Sequence, residues 1–180
     1  EFTKTVAAIS GYAREKNCLL VGTYAASSID MWARCAEAYQ KAGAGVVELN
    51  FCCPGPGSLK DIIKEGDETA CFGDVLGRNI ELSAKVVEKV RSSVDIPILC
   101  KLPPALRLQC VEVAAILHQA GAAGCELYAN SHGMRVDIEA ANPVGFGCGT
   151  LNTHGHLADT MYDVAQIAKE HPHIDLMAGR

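Results

Sequence analysis

An α/β fold built on a parallel sheet is what this sequence predicts, and three observations predict it. Short apolar runs rich in β-branched residues recur along the 180 residues. Segments of helical periodicity separate those runs. Glycine marks two of the joints where helix gives way to strand. Alternating strands and helices require crossover connections, and crossovers join parallel strands.

Taken in order, residues 3–16 read as a helix, and Leu19–Tyr24 is the first strand-like run. The next helix opens at Ser27-x-x-Asp30, a capping-box-like start, runs to Ala42 and stops at Gly43. Val46–Phe51 is the second run. Glu81–Ser92 places charges around Val86, Val87 and Val90, a one-sided helix, and leads to the third run, Ile96–Leu102. Val111–Ala120 is helical and ends at Gly121 before the fourth run, Cys125–Ala129. Leu157–Lys169 is helical up to the His171-Pro172 break, and Ile174–Ala178 is the fifth run. The runs have mostly lost apolar/polar alternation, as strands covered on both faces do. The joints Gln40-Lys-Ala-Gly-Ala-Gly and Gln119-Ala-Gly-Ala-Ala-Gly resemble each other, as reuse of one βα unit would produce.

Two of the strand-to-strand gaps are long. The extra residues follow Phe51 and Asn130, at the C-terminal ends of strands, and both stretches are rich in Gly and Pro. That edge is where parallel α/β folds bind ligands. Five strands do not close an eight-stranded barrel, whose chain runs to about 250 residues. An open sheet and a piece of a barrel both fit the spacing.

Composition excludes several classes. The chain is 49% hydrophobic and 21% charged, enough apolar mass for one core, and residues 1–180 read as one domain. A net charge of −5 with interspersed signs offers no basic patch for nucleic acid or an acidic membrane. The longest apolar runs, Val113–Leu117 and Ile96–Cys100, are too short for a bilayer. The N-terminus lacks signal-peptide form and an initiating Met, so the chain is expected to start inside a longer protein. The nine cysteines are odd in number and contain no Cys-x-x-Cys. They argue against a disulfide framework and against an iron–sulfur cluster, and for a reducing, cytoplasmic setting with most thiols as inert core.

Three consecutive strands end in polar groups. The second reads Glu48-Leu-Asn50-Phe-Cys52-Cys53-Pro-Gly. Asn50 can donate to and accept from a heterocycle, and a thiol with an ordinary pKa of about 8.5 can serve as acid or base. Taken alone, a buried cysteine pair closing a strand is the more economical reading. The third reads Ile96-Pro-Ile-Leu-Cys-Lys101-Leu-Pro-Pro. A Lys at the end of an apolar strand is costly to bury alone, so Lys101 points to an anionic ligand or a developing negative charge. The fourth runs Glu126-Leu-Tyr128-Ala-Asn130-Ser131. Delivery of Asn50, Lys101 and Asn130 to one edge says more than any one of them. The Gly-rich stretch 145–150 can turn backbone N–H groups toward a phosphate. Thr153-His-Gly-His156 lacks the further ligands of a metal site, and no metal is expected.

Glu48-Leu-Asn-Phe-Cys-Cys-Pro resembles the E-L-N-[LF]-x-C-P strand of the dihydroorotate and dihydropyrimidine dehydrogenase superfamily. Ile96-Pro-Ile-Leu-Cys-Lys-Leu-Pro-Pro resembles its P-[IV]-x-x-K-L-[STP]-P strand, and Tyr128-Ala-Asn-Ser its V-N-S strand. Gly133-Met-Arg-Val-Asp-Ile-Glu, then Asn142-Pro-Val and Gly147-Cys-Gly, resemble the loop and glycines that follow. The resemblance implies a (β/α)8 TIM barrel of the FMN-linked oxidoreductase type, of which this chain carries about strands three to seven. It implies Cys53 as the acid/base at C5 of a pyrimidine, with hydride exchanged between C6 and flavin N5. Asn50, Asn130 and Ser131 are then substrate-binding. Lys101 meets the flavin N1/O2 edge, and Gly147, Gly149 and Gly179 approach the FMN phosphate.

Gly55 stands where dihydroorotate enzymes carry Asn, which favours a dihydropyrimidine dehydrogenase-like reaction, with dihydroorotate dehydrogenase as the alternative. Residues 58–79 match neither, and Arg180 replaces a family glycine. The resemblance implies a pyrimidine as substrate and an electron-transfer subunit or domain, carrying FAD or iron–sulfur clusters, outside this chain. Apolar surface left by absent strands favours a homo-oligomer. Two further readings stand beside it. One is an inactive barrel fragment or non-catalytic subunit. The other is an aldolase-type barrel with Lys101 as a Schiff-base lysine, which explains neither Cys53 nor the asparagines.

Overall fold

The computed structural model describes residues 2–53, 72–128, 131–144, 149–151 and 155–178. Its centre is a five-stranded parallel sheet of β1 (Val21–Tyr24), β2 (Val46–Asn50), β3 (Ile98–Leu102), β4 (Gly124–Leu127) and β9 (Asp175–Ala178). The strands lie in that same order across the sheet. Helices α1 (Phe2–Glu15), α2 (Ile29–Lys41), α4 (Ile80–Arg91), α5 (Cys110–Gln119) and α6 (Gly155–Glu170) alternate with them, and each packs against the next. A short helix, α3 (Gly73–Leu76), precedes α4, and a 3-10 turn, Pro104–Gln109, precedes α5.

Sequential strand order bears on what spacing left open. Crossovers between parallel strands are right-handed, so strands laid down in sequence put every helix on the same face. A doubly wound sheet reverses direction and covers both faces. This five-stranded sheet is singly wound, a TIM-barrel-like arrangement.

Alternate residues therefore face different surroundings. Val47, Leu49, Ile98, Cys100, Leu102, Cys125 and Leu127 are buried in the core beneath the helices, beside Trp32, Val86, Val87, Val90, Val113 and Leu117. Thr23, Leu99 and Lys101 alternate with those positions and are exposed or half-buried. The sequence predicts strands covered on both faces, and β3 departs from that. Its burial alternates residue by residue because helices cover one side of it.

The helix-to-strand joints repeat as the sequence suggests. Gly43 and Gly121 have φ of +93° and +112°, where a side chain would be strained. Around each, the cap bonds are the same. Gly43 N–H donates to Gln40 and Ala44 N–H to Tyr39, as Gly121 N–H donates to His118 and Ala122 N–H to Leu117. This is the Schellman closure, which satisfies the last carbonyls of the helix before the chain turns into a strand. The α2 cap lies one residue later than predicted. Ser28, not Ser27, accepts from Met31 N–H at 3.3 Å.

The insertion after β4 forms two small antiparallel ladders. β5 (Ser131–Gly133) pairs with β8 (Gly149–Leu151), and β6 (Val136–Asp137) pairs with β7 (Asn142–Pro143). The sequence shows this stretch as loop, and pairs of two or three residues leave too little periodicity to read. Among the described residues, no helix is long and apolar enough to cross a membrane.

Candidate functional site at the C-terminal edge of the sheet

The site begins where β2 and β3 end side by side. Asn50 and Lys101 are register partners, and Lys101 is in turn the partner of Glu126 on β4. Register partners in a parallel sheet share a face, so one row of side chains crosses three strands on the side away from the helices.

Beyond Asn50 the chain turns on its own side chain. Asn50 Oδ1 accepts the backbone N–H of Cys52 at 3.0 Å and of Cys53 at 3.2 Å. This Asx turn leaves the amide N–H2 as the group that Asn50 can offer a ligand. The turn also separates the two cysteines. Cys52 Sγ is drawn back onto the Lys101 carbonyl at 3.5 Å and is half-buried, whereas Cys53 is exposed. Gly73 of α3 seats against this turn. A Cβ there would lie 2.2 Å from the Asn50 carbonyl oxygen and 2.3 Å from that of Cys53, so a side chain at 73 would displace the cysteine loop.

The 3-10 turn after β3 is held to α6 by Arg107, which bonds Asp163 at 2.7 Å and Asp159 at 2.9 Å. Asp163 is buried, and that pairing fixes the loop following Lys101.

The charge of Lys101 is answered inside the chain. Its ammonium lies 2.8 Å from Glu126 Oε1, with the lysine side chain 26% exposed and the glutamate 7%. The sequence points to an anionic ligand or a developing negative charge beside this lysine; within the chain, a buried carboxylate is one of its partners. Glu48, also buried, accepts from Thr23 Oγ1 at 2.8 Å. Burial and the hydrogen bond with Glu126 push the Glu48 carboxyl up to about 7. Burial acts the same way on Glu126, but its hydrogen bonds with Glu48 and Lys101 outweigh it and hold Glu126 below the ordinary range. Burial lowers Lys101, and the hydrogen bond and charge of Glu126, aided by Glu48, more than offset this, so its pKa is raised and it stays cationic.

Sequence reasoning assigned Glu48 and Glu126 no role. The signal was present: each is a carboxylate inside an apolar strand, Val-Val-Glu48-Leu and Cys-Glu126-Leu, where an unpaired charge is costly. Their partner lies on a third strand, and only the register shows it.

Of the other candidates, Ser131 opens the hairpin that leaves this edge, four residues past the end of β4. Gly149 lies across that hairpin, opposite Gly133. Asn130, Gly147 and Gly179 lie outside the described residues, as does the first insertion from residue 54 to 71. Among the described residues, no cluster of three or more His, Cys, Asp or Glu is arranged to hold a metal ion.

No protein-family model matches the chain. Curated relatives do. A protein of Aeropyrum pernix named as a dihydroorotate dehydrogenase A (fumarate) is 30% identical over 130 residues, 72% of this chain and 38% of that protein. The catalytic subunit of dihydroorotate dehydrogenase B (NAD(+)) of Bacillus mycoides is 29% identical over 126 residues, 69% of this chain and 36% of the subunit. The corresponding subunit of Bacillus cytotoxicus is 28% identical over the same shares. The chain thus spans little more than a third of the length of these relatives. Among solved structures, a protein of Burkholderia cenocepacia J2315 titled as a phosphonomutase matches with a TM-score of 0.52 at 16% identity, over 89% of this chain and 52% of that one. A phosphonopyruvate hydrolase in complex with oxalate and Mg++ matches with a TM-score of 0.52 at 11% identity, over 96% and 51%. At such identities these two speak to fold alone. In sequence, the chain is similar to dihydroorotate dehydrogenases.

Proposed function

We propose that this chain is the central part of an FMN-dependent (β/α)8 barrel that oxidises dihydroorotate to orotate. The observation that carries the reading is the row formed by Asn50 and Lys101, with the exposed Cys53 thiol on the turn directly beyond it. The relatives named above favour dihydroorotate over the uncharged dihydropyrimidine that Gly55 suggests; that residue lies outside the described ones.

The residues suit a flavin. Lys101 gives one ammonium proton to Glu126, and among the described residues no acceptor takes the other two. They can meet the electron-rich edge of an isoalloxazine. When bound, the flavin supplies the hydride-accepting centre, and the protein positions it. Lys101 would hold the ring and favour negative charge on it. The Asn50 amide N–H2 would bind a carbonyl of the pyrimidine. Cys53 would take the proton from C5 as the hydride leaves C6. Asn130 and Ser131 are proposed as further substrate contacts, and Gly147, Gly149 and Gly179 as the phosphate grip. A reducing cytoplasm, a second copy of the chain and an electron-transfer partner carrying FAD or iron–sulfur clusters belong to the same proposal.

The test is anaerobic reduction of the FMN-loaded chain. Dihydroorotate should bleach the flavin absorbance, and Cys53→Ser should retain FMN while losing most of that bleaching, on the order of 100-fold or more. Bleaching by dihydrouracil and not by dihydroorotate would restore the dihydropyrimidine reading. Undiminished bleaching in Cys53→Ser would overturn the role of the thiol.

A further inference from the structure

We propose that Glu126 is a positioning residue for Lys101: it fixes where the ammonium stands on the open face of the sheet and lessens the positive charge that a bound flavin meets. The geometry is a direct contact. The Lys101 ammonium lies 2.8 Å from Glu126 Oε1, and the two residues are register partners on β3 and β4, so the contact spans one strand spacing. The glutamate side chain is 7% exposed and the lysine side chain 26%. The buried member is the anchor, and the cation is the one that reaches the surface. A lysine ammonium rides on a flexible four-carbon stem and, unanchored, would sample much of the open face. Glu126 holds it on the β4 side of the row. That leaves the β2 side, with Asn50 and the cysteine turn, to another group. The other buried carboxylate of this face is engaged elsewhere: Glu48 accepts from Thr23, its register partner on β1, at 2.8 Å.

A paired ammonium attracts a second anion less than a bare one does, because the carboxylate opposes the ligand's charge from close by. Reduction adds negative charge to an isoalloxazine, so the reduced form feels that opposition more than the oxidised form. Glu126 thus keeps the midpoint potential of a bound flavin below the value that Lys101 alone would set. This consequence rests on the flavin reading of Lys101 given above; the anchoring of the ammonium does not.

The experiment compares the full wild-type chain with two variants. Glu126→Gln removes the charge and keeps an oxygen acceptor, and Glu126→Asp keeps the charge on a stem one methylene shorter. Without flavin, mass-mapped reductive methylation reads Lys101 directly. Both variants should modify Lys101 about threefold or more faster than wild type, because the opposite charge that holds its proton is gone or withdrawn. The rate at exposed Lys169 should not change. With FMN bound, Glu126→Gln should raise the two-electron midpoint by about 30 mV, equivalent to a tenfold tighter hold on reduced relative to oxidised flavin. Glu126→Asp should raise it less. Unchanged Lys101 reactivity in both variants would overturn the anchor. Faster modification with an unmoved midpoint would overturn the effect on the flavin. An equal midpoint rise in Glu48→Gln would assign that effect to the charge of the whole face and overturn the role of the contact. A chain that binds no FMN, with Lys101 reactivity responding as stated, would support the anchor and sink the functional reading. If Glu126→Gln does not fold, the same comparisons with Glu126→Asp decide.

Discussion

The two faces of the sheet are built from the same strands and behave differently. On the helix side, Val47, Leu49, Ile98, Cys100, Leu102, Cys125 and Leu127 form a continuous apolar layer. On the other side, the residues between them include Thr23, Glu48, Asn50, Lys101 and Glu126, with Thr23 hydrogen-bonded to Glu48 and Lys101 paired with Glu126. Cross-strand register makes both layers, since residues opposite one another across parallel strands point the same way. The difference shows how one run of sequence holds a fold with every second residue and carries chemistry with the rest.

The comparison can be broken most forcefully on the helix side. Leu102→Ala, fully buried, should cost about 2–5 kcal/mol in urea denaturation, with no direct effect on the polar row. On the polar side, Glu126→Ala strands the Lys101 ammonium and the Glu48 carboxyl. It should cost roughly 1–3 kcal/mol by the same measurement, limited by the partial exposure of Lys101. A loss as large as that of Leu102→Ala would mean that the polar row also bears the fold.

Gly73→Ala tests the coupling between α3 and the cysteine turn. Its Cβ would meet two backbone carbonyls, so about 1–3 kcal/mol of destabilisation is expected, together with a changed rate of alkylation at Cys53. In the unaltered chain, mass-mapped alkylation should reach Cys53 before Cys52, and both long before buried Cys100, Cys110 and Cys125. Equal rates at 52 and 53 would remove the distinction that the Asx turn draws.

The subtlest difference is in pH dependence. Glu48 in the folded chain keeps its proton up to about 7, whereas in the unfolded chain it releases it near 4.5. Its stabilising contribution is therefore complete below about 4.5 and is lost as pH rises to about 7. Glu126, held low by its hydrogen bonds, contributes in the opposite sense: its share is present above the ordinary glutamate value and is lost as pH falls. Denaturation midpoints should decline from mildly acidic to neutral pH, and Glu48→Gln should flatten that decline. A wild-type midpoint that does not fall over this range would contradict the placement of Glu48.

The apolar layer was the more legible one. Five runs of β-branched and apolar residues located all five sheet strands, and glycines 43 and 121 located the joints. Asn50 and Lys101 were legible because each is a polar residue near the C-terminal end of an apolar strand, and the register sets them side by side. The Glu48–Glu126–Lys101 network was not, because it joins residues 25 to 78 positions apart through a register that no local pattern encodes. The Asx turn was likewise hidden, since an Asn two residues before a cysteine reads equally well as a ligand or as a turn former. The small hairpin ladders after β4 are too short to leave a period.

The most direct test of the central claim is an FMN titration of the folded chain, followed by flavin absorbance and fluorescence, beside the same titration of Lys101→Met. Saturable binding near one FMN per chain, weakened on the order of tenfold or more by Lys101→Met, is the predicted result. A folded wild-type chain that leaves the flavin spectrum unchanged, or a Lys101→Met variant that binds as tightly as wild type, would contradict it.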